Sequence, residues 1–386
     1  MNTKPRIYLD YAATTPVDER VLNAMIPYFS GTFGNPSSIH QYGQQAETAI
    51  EEARLRVADD LHAAADEIIF TACGTESDNL ALRGAAFAQR QASQKKHILI
   101  SPVEHHAVSH TAEQLAGEFG FDLEYLLVDE FGLVNPEEVA RRIRPDTAIV
   151  SVIYANNEIG SINPVAKIGQ VCRQHNTLFH SDAVQAAAHL PMNVQADGVD
   201  LLAMGAHKFY GPKGIGALYI RRGTRLLPVI TGGGQEFGLR AGTQNVPYIA
   251  GLAEAFHLAQ SSAVDHARQS IEMRDFLIGR VLETVQDARL TGHPTQRLPN
   301  HASFVFKGAD GNRLLMLLDL AGFACSSGSA CKVGSPKPSE VLLALGLAPD
   351  WALGSLRVTL GNDSTPAQIE MFSDVLPGLV EKARRN

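Results

Sequence analysis

Cysteine is scarce in this chain of 386 residues, with four copies at positions 73, 172, 325 and 331 and no CxxC pair. So few cysteines in a chain of this length are not typical of a secreted disulfide framework, and we expect reduced thiols. No apolar run approaches the roughly 20 residues that cross a bilayer, and the first residues lead into a strand-like segment rather than a signal-peptide core. We therefore expect no membrane association and a cytoplasmic location.

Other features that are missing exclude further classes of function. The formal net charge is -8 and no tract is rich in lysine or arginine, so we expect no nucleic-acid partner. The GxxxxGK[ST] pattern of nucleotide-phosphate loops is absent, as are internal repeats and low-complexity linkers. What is present is a hydrophobic content of 45%, enough for one sizeable core and a second, smaller one.

Between residues 67 and 220, short β-branched runs alternate with helical patterns. The predicted strands are EIIFTA, HILIS, DLEYLLV, AIVSVIYA, TLFHSD, DLLAMG and GIGALYI, and helices are predicted from Thr75, His106, Pro136 and Pro164. This alternation predicts an α/β fold with a mostly parallel sheet of about seven strands covered by helices. Such sheets bind ligands beyond the strand ends, where this chain places Gly, His, Asn and Asp residues.

The rest of the chain predicts a different arrangement. Apolar residues with helical spacing from Ala49 to Leu61 indicate a packing helix before the sheet. Beyond Pro247 come long helices, the strand HASFVF, a helix, a short strand around Phe323, the strand SLRVTL and a final helix, which together predict a small α+β domain. We predict a large domain over residues 16–254 and a small domain formed by residues 1–15 and 255–386.

Two polar residues at strand ends indicate cofactor chemistry. Lys208 follows the strand DLLAM; a lone lysine is usually a solvated surface residue, but a desolvated amine at a strand end can form a Schiff base. Asp182 ends the strand TLFHSD, where a carboxylate either caps the following helix or pairs with a protonated pyridine nitrogen. Together they suggest a pyridine cofactor.

Gly74, Thr75 and Glu76 lie at a strand-to-helix turn, where free backbone N–H groups and the helix dipole suit a phosphate. His105 is interpreted as a flat ring that stacks on a cofactor. The alternative is a metal site with His106 and His110, but no carboxylate or cysteine nearby in the sequence completes a ligand set, so we predict no metal.

The last two cysteines, Cys325 and Cys331, flank the segment Ser326-Ser-Gly-Ser-Ala. A loop of small residues allows a thiol to move, which is unusual for a buried structural cysteine. The alternative for either residue is a small hydrophobic group in the core.

Together, these residues belong to segments through which the chain resembles, over nearly its full length, the cysteine desulfurases of the NifS/IscS type in the class V aminotransferase superfamily. The segments are Tyr8-Leu-Asp-Tyr-Ala-Ala-Thr-Thr, Asn35-Pro-Ser-Ser-Ile-His, Gly74-Thr-Glu-Ser-Asp-Asn, Glu104-His-His-Ala-Val, Asn156-Asn-Glu-Ile-Gly, Asp182-Ala-Val-Gln, Ala206-His-Lys, Gly232-Gly-Gly-Gln-Glu, Arg240-Ala-Gly-Thr and Ser327-Gly-Ser-Ala-Cys. The resemblance implies the fold of pyridoxal-phosphate-dependent transferases, pyridoxal 5'-phosphate as cofactor and L-cysteine as substrate.

The resemblance also implies a role for each matching residue. Lys208 corresponds to the Schiff-base lysine, Asp182 to the partner of the pyridine nitrogen, and His105 to the stacking residue. The other implied cofactor contacts are Asn157 and Gln185 at the ring hydroxyl; Gly74, Thr75, Gly205 and His207 at the phosphate; and Thr243, which reaches the neighbouring subunit's cofactor and so implies a homodimer. Arg357, with Asn35 as helper, corresponds to the group that binds the substrate carboxylate through the bidentate fit of guanidinium to carboxylate.

In the implied reaction Lys208, His105 and Cys331 are catalytic. Lys208 acts as base at Cα, and Cys331, as a thiolate, takes the substrate sulfur and leaves alanine. The persulfide then passes to a sulfur-acceptor protein such as an iron–sulfur scaffold, while a tRNA-modifying relay and a molybdenum- or thiamine-pathway carrier also remain open. Selenocysteine as a further substrate remains open as well.

Three positions depart from the family pattern: Gly205 replaces a serine whose hydroxyl contacts the phosphate, Phe237 replaces a polar residue, and Cys73 replaces a glycine. Two other functions remain as alternatives. An aminotransferase or C–S lyase of the same fold uses the lysine and aspartate but no loop thiol. A sulfur carrier or scaffold without catalysis needs neither Lys208 nor Asp182.

Overall fold

The computed structural model describes residues 6–328 and 337–384. Its strands, in chain order, are β1 (Ile7–Tyr8), β2 (Ile68–Thr71), β3 (His97–Ile100), β4 (Asp122–Tyr125), β5 (Thr147–Ser151), β6 (Leu178–Asp182), β7 (Leu201–Gly205), β8 (Gly216–Ile220), β9 (Ala288–Leu290), β10 (His301–Phe306), β11 (Phe323–Ala324) and β12 (Ser355–Thr359).

The helices are α1 (Glu19–Met25), α2 (Pro27–Ser30), α3 (Gln41–Leu61), α4 (Gly74–Ser93), α5 (His106–Phe119), α6 (Pro136–Arg142), α7 (Val165–Gln174), α8 (Val194–Asp197), α9 (Val246–Thr284), α10 (Gly311–Ala321), α11 (Glu340–Ala344), α12 (Pro349–Ala352) and α13 (Pro366–Arg384). Within the two described stretches, no helix combines the length and apolarity that crossing a membrane requires.

The central sheet has seven strands in the order β2-β8-β7-β6-β5-β3-β4. The strands β4, β3, β5, β6 and β7 are mutually parallel, and β8 runs antiparallel to both of its neighbours. The predicted α/β class and mostly parallel seven-stranded sheet are therefore confirmed. Parallel strands direct their carboxyl ends to one edge, and the loops that leave this edge carry the polar residues singled out above.

Helices cover both faces of this sheet, as the continuous apolar strands require. On one face, α3 and α9 share a core with the strands, in which Val57, Leu202 and Phe256 are inaccessible to solvent. On the other face, α4 and α5 pack over the strands through a separate core that includes Leu82 and Val108. Two apolar layers thus hold the sheet rigid beneath the loops at its edge.

The remaining strands form a second unit. β1 pairs with β11 in parallel, and β12, β10 and β9 form an antiparallel sheet. Their core includes Phe304, Leu356 and Phe372. Helix α9 contributes Phe256 to the first core and Leu277 to this one, so where the sequence indicated several helices there is one of 39 residues. The boundary at residues 254 and 255 falls inside α9 and remains a proposal.

A buried ion pair fixes the loop between β8 and α9. Arg54 donates to both carboxylate oxygens of Glu236 at 2.9 and 3.0 Å, and Gln244 donates to the same carboxylate at 2.8 Å. Glu236 and Phe237 adopt positive φ angles of 47° and 56°, and the Phe237 ring lies 5.1 Å from the Arg54 guanidinium. This contact gives Phe237 a packing role, and the ion pair defines the path of the loop that carries Thr243.

Candidate active site

A cavity of about 230 Å³ opens beyond the carboxyl ends of β2, β3, β5, β6 and β7. It is lined by Cys73, Gly74, Thr75, Asp78, His105, Ile153, Asn157, Asp182, Val184, Gln185, His207 and Lys208. Eight of the predicted site residues are therefore in one cavity, although they come from five different strand ends. Their roles toward a cofactor remain predictions.

Lys208 enters the cavity from a 3₁₀ turn that follows β7. Its Nζ donates hydrogen bonds to the backbone carbonyls of Ala12 and Ala13, at 2.7 and 2.8 Å. Burial, followed by the positive charge of Arg357, lowers the pKa of the Lys208 amine to about 8. Desolvation of this kind makes a lysine nucleophilic near neutral pH.

The lowered pKa of Lys208 predicts how the rate at which the cofactor-free protein attaches pyridoxal phosphate depends on pH. With a pKa of about 8, about 10% of the Lys208 amine is neutral at pH 7, against about 0.04% for an ordinary lysine. The neutral amine is the reactive form, so the rate of covalent attachment should rise with pH up to about 8 and then level off. The measurement is absorbance after rapid mixing at a series of pH values, with Nα-acetyl-lysine as control. A rate that keeps rising to pH 10 contradicts the prediction.

Asp182 and Gln185 form the inner wall of the cavity. Asp182 is the last residue of β6 and is 4% exposed, with Oδ1 accepting from the Val184 N–H at 2.9 Å. Burial raises the pKa of this carboxyl, while His105 and Lys208 oppose the rise. Gln185 donates to the Ala12 carbonyl at 2.9 Å. A buried carboxylate with so few donors is suited to a cationic partner, as a protonated pyridine nitrogen is.

The N-terminus of α4 forms a second wall. Its cap residue, Cys73, provides no side-chain hydrogen bond, so the first backbone N–H groups of a 20-residue helix face the cavity uncapped at Gly74 and Thr75. His207 lies beside them, and burial together with Lys208 lowers the pKa of its imidazole to about 4, so the ring is neutral at pH 7. Uncapped N–H groups at a long helix are suited to a phosphate.

Gly205 lies directly behind this helix terminus, since a Cβ placed on it would be 3.4 Å from the Gly74 nitrogen. Its φ of -139° and ψ of 119° suit any residue. A hydroxyl here adds one charge-assisted hydrogen bond, so Gly205→Ser should lower the dissociation constant for pyridoxal phosphate about tenfold. Gly205→Ala supplies the Cβ alone and is the matched control in a fluorescence titration. A serine variant that binds no more tightly than the alanine variant contradicts this expectation.

His105 caps α5, with its Nδ1 accepting from the Ala107 N–H at 3.1 Å, and burial lowers the pKa of its ring. Carboxylates from distant segments approach it on folding, because the ligand atoms of Asp78, His105 and Asp182 lie within 4.8 Å of one another. His106 and His110 instead stack on each other, with ring centroids 4.5 Å apart.

Arg357, on β12, lies near this cavity in an ion pair with Asp10. Its Nη2 donates to Asp10 Oδ1 at 2.9 Å, and its Nη1 donates to the Asn157 carbonyl at 3.0 Å. Ser326 donates to the other Asp10 oxygen at 2.7 Å. Sequence reasoning gave no role to Asp10 or to the Ala12 carbonyl, although both lie in a segment that carried the resemblance.

Besides Gly205 and Arg357, which lie close to the cavity, three further predicted residues are not among its lining residues. Asn35 and Thr243 are exposed elsewhere, and Cys331 lies outside the described residues. Cys325 is described, and burial raises the pKa of its thiol. Cys73, Cys172 and Cys325 are all free thiols, in agreement with the expectation of reduced cysteines for this part of the chain.

Pyridoxal phosphate fits this set of residues. The cavity offers an amine that can react covalently at Lys208, a buried carboxylate at Asp182 and an uncapped helix terminus at Gly74, which match the cofactor's aldehyde, ring nitrogen and phosphate. His105 offers a flat ring at the mouth of the same cavity. Of the predicted cofactor contacts, all except Gly205 and Thr243 line this cavity, and their roles toward the cofactor remain proposals.

Comparison with known proteins gives the family. The model of the aminotransferase class-V family matches residues 7–372. The chain belongs to this family. Among its curated relatives, "Cysteine desulfurase IscS" from Dictyoglomus turgidum is 46% identical over 381 residues, covering 99% of this chain and 96% of that protein. "Cysteine desulfurase IscS" from Methanosarcina thermophila is 46% identical over 378 residues, covering 98% and 93%.

Solved structures of similar proteins support the same relationship. A "NIFS-like protein" superposes with a TM-score of 0.90 at 36% identity, covering 98% of this family member and 100% of that chain. The structure described as "SspA in complex with cysteine" superposes with a TM-score of 0.81 at 37% identity, covering 92% and 98%. The predicted family resemblance and fold are confirmed.

Proposed function

We propose that this chain is a cysteine desulfurase that converts L-cysteine to L-alanine and takes the sulfur onto Cys331 as a persulfide. The observation that carries the proposal is the cavity in which the Lys208 amine, the Asp182 carboxylate and the N-terminus of α4 converge. Relatives that are 46% identical over almost the full length bear the name cysteine desulfurase. A structural neighbour is described in complex with cysteine.

Pyridoxal phosphate, when bound, supplies an electron sink for the electrons released at the substrate Cα. The Lys208 amine, with a pKa of about 8, is suited to take the Cα proton and to deliver a proton to the product near neutral pH. Arg357 supplies a guanidinium for the substrate carboxylate. The Cys331 thiolate attacks the substrate sulfur, so that an S–S bond forms, the C–S bond breaks and alanine leaves after protonation.

We also propose that the protein forms a homodimer. Large apolar side chains are exposed around the start of α3, including Phe33 at 65% and Ile39 at 94%. Pro36 and Ser37 border the same surface depression as the loop residues 234–237, so this apolar surface and the Thr243 loop are neighbours. If a second copy covers this surface, Thr243 of one copy would reach the cavity of the other copy. Sedimentation should then give a mass of roughly twice 41.6 kDa.

A protein that accepts the persulfide sulfur completes the proposed reaction, and an iron–sulfur scaffold is the acceptor that we propose, because the relatives bear the name IscS. A cytoplasmic location is proposed with it.

The assay that tests the function measures alanine, pyruvate and sulfide released from L-cysteine by the holoenzyme with a thiol reductant. A desulfurase gives alanine and sulfide in equal amounts. The alternative, a C–S lyase of the same fold, gives pyruvate with the sulfide. An aminotransferase gives no sulfide. Pyruvate in place of alanine, or no product from cysteine, overturns the proposal.

A further inference from the structure

Glu158 follows the cavity residue Asn157 in a tight turn. The turn is fixed by the Asn156 side chain, whose Oδ1 accepts from the backbone N–H groups of Glu158 and Ile159 at 2.8 and 3.0 Å. Asn156 in turn donates to the Val103 carbonyl at 2.8 Å. The backbone that carries Glu158 is therefore rigidly attached to the wall of the cavity.

The Glu158 carboxylate lies against two residues that are far from it in sequence and close to each other in space. Ser339 is 4% exposed and donates from Oγ to Glu158 Oε2 at 2.5 Å. At Gly328, an added Cβ would lie 2.5 Å from the same oxygen and 3.5 Å from the Ser339 Cβ. These two residues flank the stretch 329–336, which lies outside the described residues and contains Cys331.

The surroundings of the Glu158 carboxylate connect it to helix α11 and to the charge of Arg357. Ser339 also caps α11 by accepting from the Leu342 N–H at 3.2 Å, so Glu158 is linked to the start of that helix. Burial raises the pKa of Glu158 to about 7, and the nearby charge of Arg357 opposes the rise. The side chain thus lies between the cavity wall, the predicted substrate arginine and both ends of the Cys331 segment.

We propose that Glu158 is a positioning residue: its carboxylate holds Ser339 by a hydrogen bond and packs closely against Gly328, and so keeps both ends of the segment that carries Cys331 at the Asn157 wall of the cofactor cavity. The inference rests on the proposed function, because it concerns delivery of the thiol to a substrate bound in that cavity. Glu158 touches neither substrate nor cofactor; it acts through the segment.

The test compares Glu158→Ala, Glu158→Gln, Ser339→Ala and the double variant Glu158→Ala/Ser339→Ala, with Glu340→Gln as the control. Glu340 is exposed, and its substitution removes the same charge one residue away from Ser339. Glu158→Ala should lower kcat for alanine formation about 10- to 100-fold with KM for cysteine and cofactor affinity unchanged, since misplacement of a reacting group affects the chemical step. Glu158→Gln should recover part of the loss because it keeps an acceptor for Ser339.

The double variant should be no slower than Glu158→Ala, because the two substitutions remove the same contact.

A second readout needs no turnover: trypsin cleavage after Lys332 should be about tenfold faster in Glu158→Ala and in Ser339→Ala than in the wild type or Glu340→Gln. Unchanged cleavage in both variants overturns the inference even if the wild type is a desulfurase. Additive losses, or a loss of cofactor affinity equal to the loss of kcat, also overturn it. If Glu158→Ala fails to fold, Ser339→Ala decides alone.

Discussion

Lys208→Ala should abolish covalent attachment of pyridoxal phosphate and lower alanine formation by at least about 10⁴-fold. Two losses combine in this variant. The cavity loses its nucleophilic amine, and the reaction loses the group whose pKa of about 8 suits proton transfer at Cα. The fold should persist, because the amine's described hydrogen bonds are to the carbonyls of Ala12 and Ala13, and water can replace such a donor at a cavity wall.

The measurement is borohydride reduction followed by mass spectrometry of the intact chain, together with the alanine assay. Wild type should gain the mass of a reduced cofactor adduct, and Lys208→Ala should not. Lys167→Ala is the control, because Lys167 is an exposed lysine on α7. An adduct of equal yield in Lys208→Ala, or no adduct in the wild type, would show that the covalent site has been assigned to the wrong residue.

Cys331→Ser should reduce sulfide release by at least about 10³-fold while cofactor binding stays intact, because a serine hydroxyl cannot hold a persulfide. Lys208, Asp182 and Arg357 are unchanged in this variant. A persistent change in the cofactor spectrum on addition of cysteine should show that substrate still enters the cavity. The discriminating quantity is therefore sulfide release relative to cofactor content, measured on the same sample.

Cys325→Ser is the matched control for this experiment. Burial raises the pKa of the Cys325 thiol, and the thiolate is the nucleophilic form, so Cys325 is poorly suited to attack sulfur. Its replacement should lower the free energy of unfolding by about 1–2 kcal/mol and leave most of the turnover. If Cys331→Ser releases sulfide at the wild-type rate with pyruvate as the second product, the thiolate mechanism is wrong and direct β-elimination takes its place.

The fold was largely predictable from the sequence because its signal is local. Short, largely apolar runs predict buried parallel strands, and two of these runs end at Asp182 and before Lys208, the residues proposed to act at that edge. The uncapped start of α4 was likewise visible as a glycine at a strand-to-helix turn. In each case, residues adjacent in sequence carry both the structural and the functional information.

Contacts between distant segments were not predictable in this way. Lys208 finds its acceptors at Ala12 and Ala13, almost 200 residues away, and His105 acquires carboxylate neighbours from α4 and β6 only on folding. Neither pairing leaves a periodic trace in the sequence. Asn35 and Thr243 lie outside the cavity of this copy, and the role proposed for Thr243 requires a second copy of the chain.

The pairing of β1 with β11 has a consequence for the order of events during translation. Ile7 emerges from the ribosome early, but its partner Phe323 follows more than 300 residues later, and Asp10 bridges to Thr359 later still. The carbonyls that accept from Lys208 lie just beyond Asp10, so their final position depends on strands made near the end of synthesis. A nascent chain therefore completes the cavity around Lys208 only after nearly the whole sequence has been released, and premature termination leaves the central sheet without that cavity.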